Sequence, residues 1–311
     1  MSYDPHSTAR AGVVLPPSPQ VRLVPRTPSA TARSWPVDLP ESGSWKVTGA
    51  AGSGVSSFLI DTVIHALDRA QETGADPSGI LVIAPSKESG ARLRRELSER
   101  LENYAAQTSM VRSVHSLAFA LLRTAAEEEL RLITGAEQDA VIRELLIGQA
   151  EDGHGAWPEE MRPALEYVGF ARQLRDFLLR SIERGLGPGD LERLGHEYGR
   201  PMWSAAGEFL REYEHVQLLS RAHSYSAAEL VTAVLQRPEL LRDHPFHTIV
   251  VDDAQLLDPT AGKLILGLAA QANLVVVGGD TAQTVFAFRG ASLRFLLFFP
   301  AEHDIELTES Y

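Results

Sequence analysis

Short apolar runs alternate along the chain with longer segments in which apolar residues recur every three or four positions. The runs cover residues 45–48, 80–84, 247–251 and 273–277. Runs this apolar are typical of strands covered on both faces, and the periodic segments between them are typical of crossover helices. The pattern therefore predicts an α/β fold with a parallel sheet.

From about residue 126 to residue 240 the apolar runs are missing and only helical spacing remains. The periodic segments there are residues 136–147, 161–184, 202–221 and 226–236. Spacing of this kind predicts amphipathic helices. We expect an all-α subdomain at 126–240 that interrupts a sheet domain made of residues 41–125 and 241–311.

The N-terminal stretch differs from the rest of the chain in amino-acid composition. Its first forty residues contain eight prolines with Ser and Thr between them, which disfavours regular structure. Only residues 21–24 have the composition of a short strand. We expect residues 1–40 to form a proline-rich extension.

Composition narrows the class of protein. A chain of 311 residues with 44% hydrophobic content fits a globular protein of about two domains. With 29 basic and 41 acidic residues the net charge is −12, so no global positive field attracts nucleic acid or a membrane surface, and any DNA contact needs a local groove. The sequence has no cysteine, which excludes disulfides and thiolate metal sites. Because no apolar run approaches about 20 residues and no signal sequence is visible, we expect a cytoplasmic protein without membrane contact.

A glycine-rich segment follows the first predicted strand and has the spacing G-x-x-x-x-G-K-[ST] of a phosphate-binding loop. It consists of Gly49, Ala50, Ala51, Gly52, Ser53, Gly54, Val55 and Ser56. Backbone N–H groups in such a loop, and the positive end of the helix after it, bind phosphate. Ser56 is the candidate Mg²⁺ ligand, with Ser57 as its substitute. A glycine-rich turn that binds nothing would have the same spacing.

Val55 stands where such loops have lysine. An aliphatic side chain provides neither charge nor donor, and a lost charge-assisted hydrogen bond costs about 1.5–3 kcal/mol. Hydrolysis, in which phosphate charge develops, should suffer more than binding. Lys46 lies on the entering strand, where its side chain is not expected to reach the phosphates, so the sequence shows no replacement cation.

The third apolar run ends in two carboxylates, Asp252 and Asp253. Such a pair can hold Mg²⁺ and orient an attacking water. Asp252 would be the metal-side acid. Asp253 stands where a glutamate base is usual, and its shorter side chain would reach the water less well. A solvated strand end is the alternative interpretation.

Residues 275–291 closely resemble the segment G-D-x-x-Q-[ST]-[IV]-[YF]-x-[FW]-R-G-A of UvrD/RecB-like DNA helicases of superfamily 1. The resemblance implies a RecA-like P-loop domain that uses ATP and Mg²⁺ to unwind or translocate on DNA during repair or recombination. It also implies that Gln283 contacts the γ-phosphate and that Phe286 and Phe288 stack on bases of a single strand. Arg289 would contact either DNA or a neighbouring acid.

Further segments follow in the order of that family. Residues 80–87 and 91–101 resemble its motif Ia, residues 111–118 its V-x-T-x-H-S-L-A segment, and residues 307–311 the start of L-x-x-N-Y-R. Residues 135–139 are similar to the start of the helical subdomain in actinobacterial motor subunits of the AdnA/AdnB type. The resemblance implies that Tyr311 stacks on adenine. His115 either faces DNA from a loop or is a satisfied polar group.

Basic residues flank these segments: Lys87, Arg92, Arg94, Arg95, Arg100, Arg112 and Arg123. They form either a local groove for DNA phosphates or, diluted by neighbouring glutamates, a solvated helix face.

The chain departs from the family pattern at Val55, at Asp253, at Ser310 in place of asparagine, and in residues 33–46, which lack the expected adenine-reading glutamine. The sequence ends at Tyr311, before the second RecA-like domain with which such motors close on ATP. We therefore expect little ATP hydrolysis and no unaided unwinding. The expected partners are single-stranded DNA or a duplex/single-strand junction and a partner helicase or nuclease subunit. The alternatives are a non-catalytic DNA-binding or scaffolding subunit of a helicase–nuclease complex and a truncated gene product.

Overall fold

The computed structural model describes residues 34–101, 110–126, 129–220 and 223–309. Most of the predicted extension, with the candidate strand at 21–24, lies outside these ranges, as do Ser310 and Tyr311. The structural unit that contains the sheet begins at Pro36.

Six parallel strands form the central sheet. They are β1 (Gly43–Gly49), β2 (Ile80–Ala84), β3 (Val111–Ser113), β6 (Thr248–Val251), β7 (Leu274–Gly279) and β8 (His303–Leu307). Their order across the sheet is β3-β2-β6-β7-β1-β8, and every neighbouring pair is parallel. The four apolar runs are β1, β2, β6 and β7, so the prediction of a parallel α/β sheet is confirmed.

The two edge strands were not predicted. β8 is largely exposed, and β3 has only three residues, of which one is buried. A strand covered on few sides carries no continuous apolar run, so hydrophobic patterning does not detect it.

Both faces of the sheet are covered by helices. One face packs on α3 (Val114–Ala125), α8 (Ala227–Leu235) and α10 (Pro259–Ala269). The core there uses alternate strand residues, namely Leu81, Ile83, Ile249, Val251, Val275 and Val277. The intervening residues are also buried and point to the opposite face, where α1 (Val55–Thr73) contacts β2, β6 and β7. Burial on both faces explains why these strands are uninterrupted apolar runs.

A second core forms among α4 (Gly135–Asp152), α5 (Val168–Glu183), α6 (Pro188–Glu197) and α7 (Pro201–Ser220). Leu174, Leu178 and Ile182 place one face of α5 in it at four-residue spacing. Trp157 is buried there beside Phe209. The helical character of this region agrees with its periodicity.

Local structure in this region differs from the pattern in two places. The segment predicted as one helix at 161–184 is a 3₁₀ helix, Glu159–Ala164, followed by α5; Pro163 lies inside the 3₁₀ helix and has no N–H to continue an α-helical ladder. Two short strands, β4 (Arg131–Leu132) and β5 (Ser224–Tyr225), pair in parallel where no strand was expected. Two residues are too few to show alternation.

The remaining α-helices of the described residues are α2 (Lys87–Arg100), α9 (Pro238–Arg242) and α11 (Arg294–Phe298). α8 lies within the predicted helical insert, yet it packs in the hydrophobic core of the sheet. The chain from Pro36 onward forms one compact unit and does not separate into a sheet domain and a helical domain. The boundaries at residues 126 and 240 therefore stay predictions. None of the helices in the described part of the chain is long and apolar enough to cross a membrane.

Candidate nucleotide site

The strand order brings three distant segments to one edge of the sheet. β7 lies between β6 and β1, with Val251 opposite Val277 and Thr48 opposite Gly279. Because the strands are parallel, the glycine loop after β1, Asp252 after β6 and the loop after β7 all leave from their carboxyl ends. Crevices at this edge are where open α/β sheets bind ligands.

The glycine loop makes a tight turn directly into α1. Gly52 and Gly54 have φ angles of 87° and 95°, a region that other residues rarely adopt. The Ser53 N–H donates to the Ala50 carbonyl at 3.0 Å, and the Gly54 carbonyl accepts the Phe58 N–H at 2.9 Å. Helix α1 thus begins at Val55, and its amino end lies at the loop as a phosphate site requires.

Ser53 carries an unusual signal. Its side chain is 3% exposed, and in the described part of the chain its hydroxyl has no hydrogen-bond partner. Buried polar atoms are nearly always paired. An unpaired hydroxyl inside this loop fits a site completed by an external acceptor such as a phosphate oxygen.

Asp252 lies directly beneath the loop. The Ser56 hydroxyl donates to its carboxylate, with Oγ 2.9 Å from Oδ1 and 3.2 Å from Oδ2, and the Asp252 N–H donates to Ile83 O at 3.0 Å. Asp252 is 1% exposed. Burial and the negative charge of Asp253 raise the pKa of Asp252 to about 6, against the opposing effects of the Ser56 hydrogen bond and Arg92. Of the two serines considered as metal ligands, Ser56 is the one that meets the carboxylate.

Asp253 has a strained backbone, with φ 49° and ψ 44°. Residues other than glycine rarely adopt this left-handed conformation, and aspartate tolerates it better than most. Here it turns the chain sharply into a 3₁₀ helix at Ala254–Leu256. The Asp253 side chain is 30% exposed, so this carboxylate is accessible while that of Asp252 is not.

Gln255 joins this strand end to the loop after β7, a role that sequence reasoning missed. Its side chain is 1% exposed. The Gln255 Nε2 donates to Asp253 Oδ1 at 3.3 Å, and its Oε1 accepts the Asp280 N–H at 3.1 Å. Asp280 in turn accepts Gln283 Nε2 at 2.9 Å. A continuous hydrogen-bonded path therefore runs from Asp253 to Gln283.

The aromatic segment lies further along the same loop. Phe286 and Phe288 are 38% and 72% exposed, with ring centroids 6.2 Å apart. The Arg289 guanidinium carbon lies 5.7 Å from one ring centroid and 5.5 Å from the other, within cation–π range. In this structure Arg289 therefore contacts the two rings, a third arrangement beside the two that the resemblance suggested.

Helix α5 touches this loop through its last turns. Arg180 Nη1 donates to the Arg289 carbonyl and to Glu183. Burial raises the pKa of Glu183 to about 7, opposed by the charge of Arg180. The aromatic loop is thus connected to the helical region.

His115 is the second residue of α3 and lies in no loop. The preceding Ser113 caps this helix by accepting the Ser116 N–H at 3.3 Å. Burial lowers the pKa of His115, and the charge of Asp258 acts in the opposite direction. This placement favours a packed, neutral side chain. Tyr311, the predicted adenine contact, lies outside the described residues.

The position of the missing lysine is filled by apolar packing. A Cβ atom on Gly278 of β7 would lie 2.8 Å from Val55 Cγ1 and 2.7 Å from Leu59 Cδ1, so Val55 packs down onto the sheet. Lys46 pairs with Asp304 of β8 at 2.6 Å, as its position on the entering strand suggested. Neither residue provides a cation to the loop.

A cation reaches the site from α2 instead. Arg92 Nη2 lies 3.4 Å from Asp252 Oδ2 and 3.8 Å from Asp253 Oδ2. Its side chain is half exposed. Sequence spacing did not single out this contact, because it joins residues 160 positions apart.

The oxygen ligands at this edge suit Mg²⁺. The Ser56 hydroxyl and the Asp252 carboxylate are adjacent hard ligands, of the kind that binds Mg²⁺ together with substrate phosphates. No group of three or more His, Asp or Glu side chains able to hold a metal ion occurs among the described residues.

The chain is similar to known DNA helicases. The model of the UvrD/REP helicase N-terminal domain matches residues 32–304. The chain is 25% identical over 292 residues to the putative ATP-dependent DNA helicase YjcD of Bacillus subtilis. The matched region covers 86% of this chain and 34% of that protein.

Two further relatives match a similar region. The chain is 24% identical to the ATP-dependent DNA helicase PcrA of Staphylococcus aureus, over 86% of this chain and 36% of PcrA. It is 23% identical to DNA helicase II of Salmonella typhimurium, over 88% of this chain and 37% of that protein. The chain thus spans about a third of the length of these curated relatives. Because the family model covers most of its residues, the chain belongs to the UvrD/REP helicase family, in the region of the N-terminal domain.

Proposed function

We propose that this chain forms the ATP-binding part of an ATP-dependent DNA helicase that acts in DNA repair or recombination, and that it hydrolyses ATP weakly. The observation that carries the proposal is the contact between Ser56 and Asp252, at 2.9 Å. It joins a phosphate-type loop to an acidic strand end 196 residues away. The chain spans about a third of the length of these relatives. Unwinding of DNA is an activity of the whole helicase, and we include it here as part of the proposal.

Each residue of the site has a role in this proposal. Backbone N–H groups of residues 50–56 and the amino end of α1 bind the phosphates. Ser56 and Asp252 are the residues that would hold Mg²⁺, which neutralises phosphate charge when bound. Asp253, which is accessible, is the candidate base for an attacking water, and Gln283 the candidate γ-phosphate contact.

The path from Asp253 through Gln255 and Asp280 to Gln283 supports coupling between nucleotide and DNA. Gln283 is followed within five residues by Phe286 and Phe288. A γ-phosphate that moves Gln283 would therefore move the rings that stack on single-stranded DNA.

Weak hydrolysis follows from Val55. Its side chain packs on Gly278, so the lysine that would stabilise developing phosphate charge has no substitute in the loop. The same observation favours a second candidate function, a non-catalytic DNA-binding or scaffolding subunit of a helicase–nuclease complex.

A titration of fluorescent single-stranded DNA, with and without a non-hydrolysable ATP analogue, distinguishes the two functions. We expect the analogue to change DNA affinity. A DNA affinity that is the same with and without the analogue would support the non-catalytic DNA-binding or scaffolding function. ATPase activity comparable to that of active helicases, abolished by Asp252→Asn in a preparation free of contaminating enzyme, would contradict the proposed weak hydrolysis.

A further inference from the structure

The two acidic residues of the site are paired with a cation that the nucleotide loop does not provide. Arg92 Nη2 lies 3.4 Å from Asp252 Oδ2 and 3.8 Å from Asp253 Oδ2, so one guanidinium group bridges both carboxylates. Asp252 is 1% exposed. A carboxylate this buried is costly to leave without a counter-ion.

Arg92 is held in this position by its helix. Ser86 caps α2 by accepting the Ser89 N–H at 3.1 Å. Leu93 and Leu97 are buried, and α2 contacts β2 and β3. Half of the Arg92 side chain remains exposed. The guanidinium group therefore lies at the mouth of the site and is accessible to a ligand.

The Arg92 guanidinium and the Ser56 hydroxyl contact the same carboxylate. Ser56 Oγ lies 3.2 Å from Asp252 Oδ2, the oxygen that Arg92 also contacts. Because Ser56 ends the phosphate-type loop, Arg92 is separated from the proposed phosphate site by a single carboxylate. Arginine is a strong phosphate ligand because its planar group donates several hydrogen bonds.

We propose that Arg92 is the cation of this nucleotide site, that it serves as counter-ion to the phosphates in place of the missing lysine, and that it competes with Mg²⁺ for Asp252. The inference rests on the proposed function, since it presupposes that nucleotide binds at this loop. Its consequence is that nucleotide binds almost equally well with and without Mg²⁺. When Arg92 is removed, Asp252 becomes free for the metal ion and binding becomes dependent on Mg²⁺.

The alternative role for Arg92 is a contact with DNA phosphates in a basic groove along α2. Two neighbours in that cluster already make internal contacts, since Arg94 donates to Val111 O at 3.1 Å and Arg100 pairs with Asp61 and Glu96. Arg95 is exposed on the same helix. It provides a matched control for the removal of one arginine from α2.

The test is a fluorescence titration of the full chain with a labelled ADP, in magnesium and in EDTA, for the wild-type protein and for Arg92→Gln, Arg92→Lys and Arg95→Gln. Circular dichroism verifies that each variant is folded. For the wild type and Arg95→Gln we expect dissociation constants in the two buffers within about threefold. For Arg92→Gln we expect binding in EDTA to weaken by about tenfold, the loss of one charge-assisted hydrogen bond, and magnesium to restore most of it. Arg92→Lys should retain most of the binding in EDTA.

Three different results would overturn the inference, and they are distinguishable. Wild-type binding that weakens tenfold or more in EDTA, with Arg92→Gln behaving like Arg95→Gln, would refute the role of Arg92 and leave the proposed nucleotide site intact. If the wild-type protein does not bind labelled ADP in either buffer, both the role of Arg92 and the proposed function are refuted. A loss of single-stranded DNA affinity in Arg92→Gln, with nucleotide binding unchanged, would assign Arg92 to DNA instead.

Discussion

Gln255 is expected to be the structural link between the acidic strand end and the loop that carries Gln283. The informative substitution is Gln255→Met, which keeps the length of the side chain and removes both polar atoms. It breaks the hydrogen bond to Asp253 at 3.3 Å and the one from the Asp280 N–H at 3.1 Å. At 1% exposure of Gln255, water does not easily replace either bond.

The size of the effect follows from these two bonds. A hydrogen bond to a charged group contributes about 1.5–3 kcal/mol and a neutral one about 0.5–1.5 kcal/mol. The long Asp253 contact belongs at the low end of its range, so we expect the free energy of unfolding to fall by about 2–3 kcal/mol. We also expect an ATP analogue to lose its effect on single-stranded DNA affinity, because Asp280 and Gln283 are released from the strand end.

Urea unfolding followed by circular dichroism measures the first effect. Gln283→Met is the matched control: it removes one amide, but from an exposed position with a single hydrogen bond to Asp280, where substitutions usually change stability by about 0.5 kcal/mol or less. The structural reasoning is refuted if Gln255→Met destabilises the protein no more than Gln283→Met does.

Three further predictions concern the loop, the helical contact and the aromatic rings. Val55→Lys should tighten ATP binding by about tenfold or more, the value of one charge-assisted hydrogen bond, and a titration with labelled ATP that shows no gain would contradict the assignment of the loop. Glu183 has its pKa raised from 4.5 to about 7, so the unfolded chain binds fewer protons than the folded one between these values and stability should fall as the pH rises through 7, by up to about 3 kcal/mol at about 1.4 kcal/mol per pH unit. Urea unfolding at pH 5 and pH 8 should show this loss in the wild type and not in Glu183→Gln; equal losses in both would refute it. Phe288→Ala should weaken single-stranded DNA binding by about 1–3 kcal/mol, whereas Phe298→Ala, which removes a ring of similar exposure (72% against 73%) beside an arginine on α11, should leave it unchanged; equal effects would argue against base stacking at Phe288.

Several sequence predictions succeeded because they depend on local spacing. The four buried strands were visible since alternate residues face two different covered sides. The start of α1 at Val55 follows from the glycine turn before it. Patterning failed for β3 and β8, which lie at the edges of the sheet, and for the two-residue strands β4 and β5.

The amino-acid sequence by itself determined the parallel α/β class, the helical region, the glycine loop without its lysine, and the family to which the chain belongs. Each of these is encoded in spacing along the chain, through strand and helix periodicity or an ordered series of motifs. Only the tertiary structure decided which residues meet: Arg92 with Asp252, Gln255 with Asp280, and Val55 with Gly278. These contacts depend on the order of strands in the sheet, which places residues up to 223 positions apart (278 − 55) against each other. Hydrophobic patterning carries no information about that order, so the cation of this site became visible only when the chain was folded.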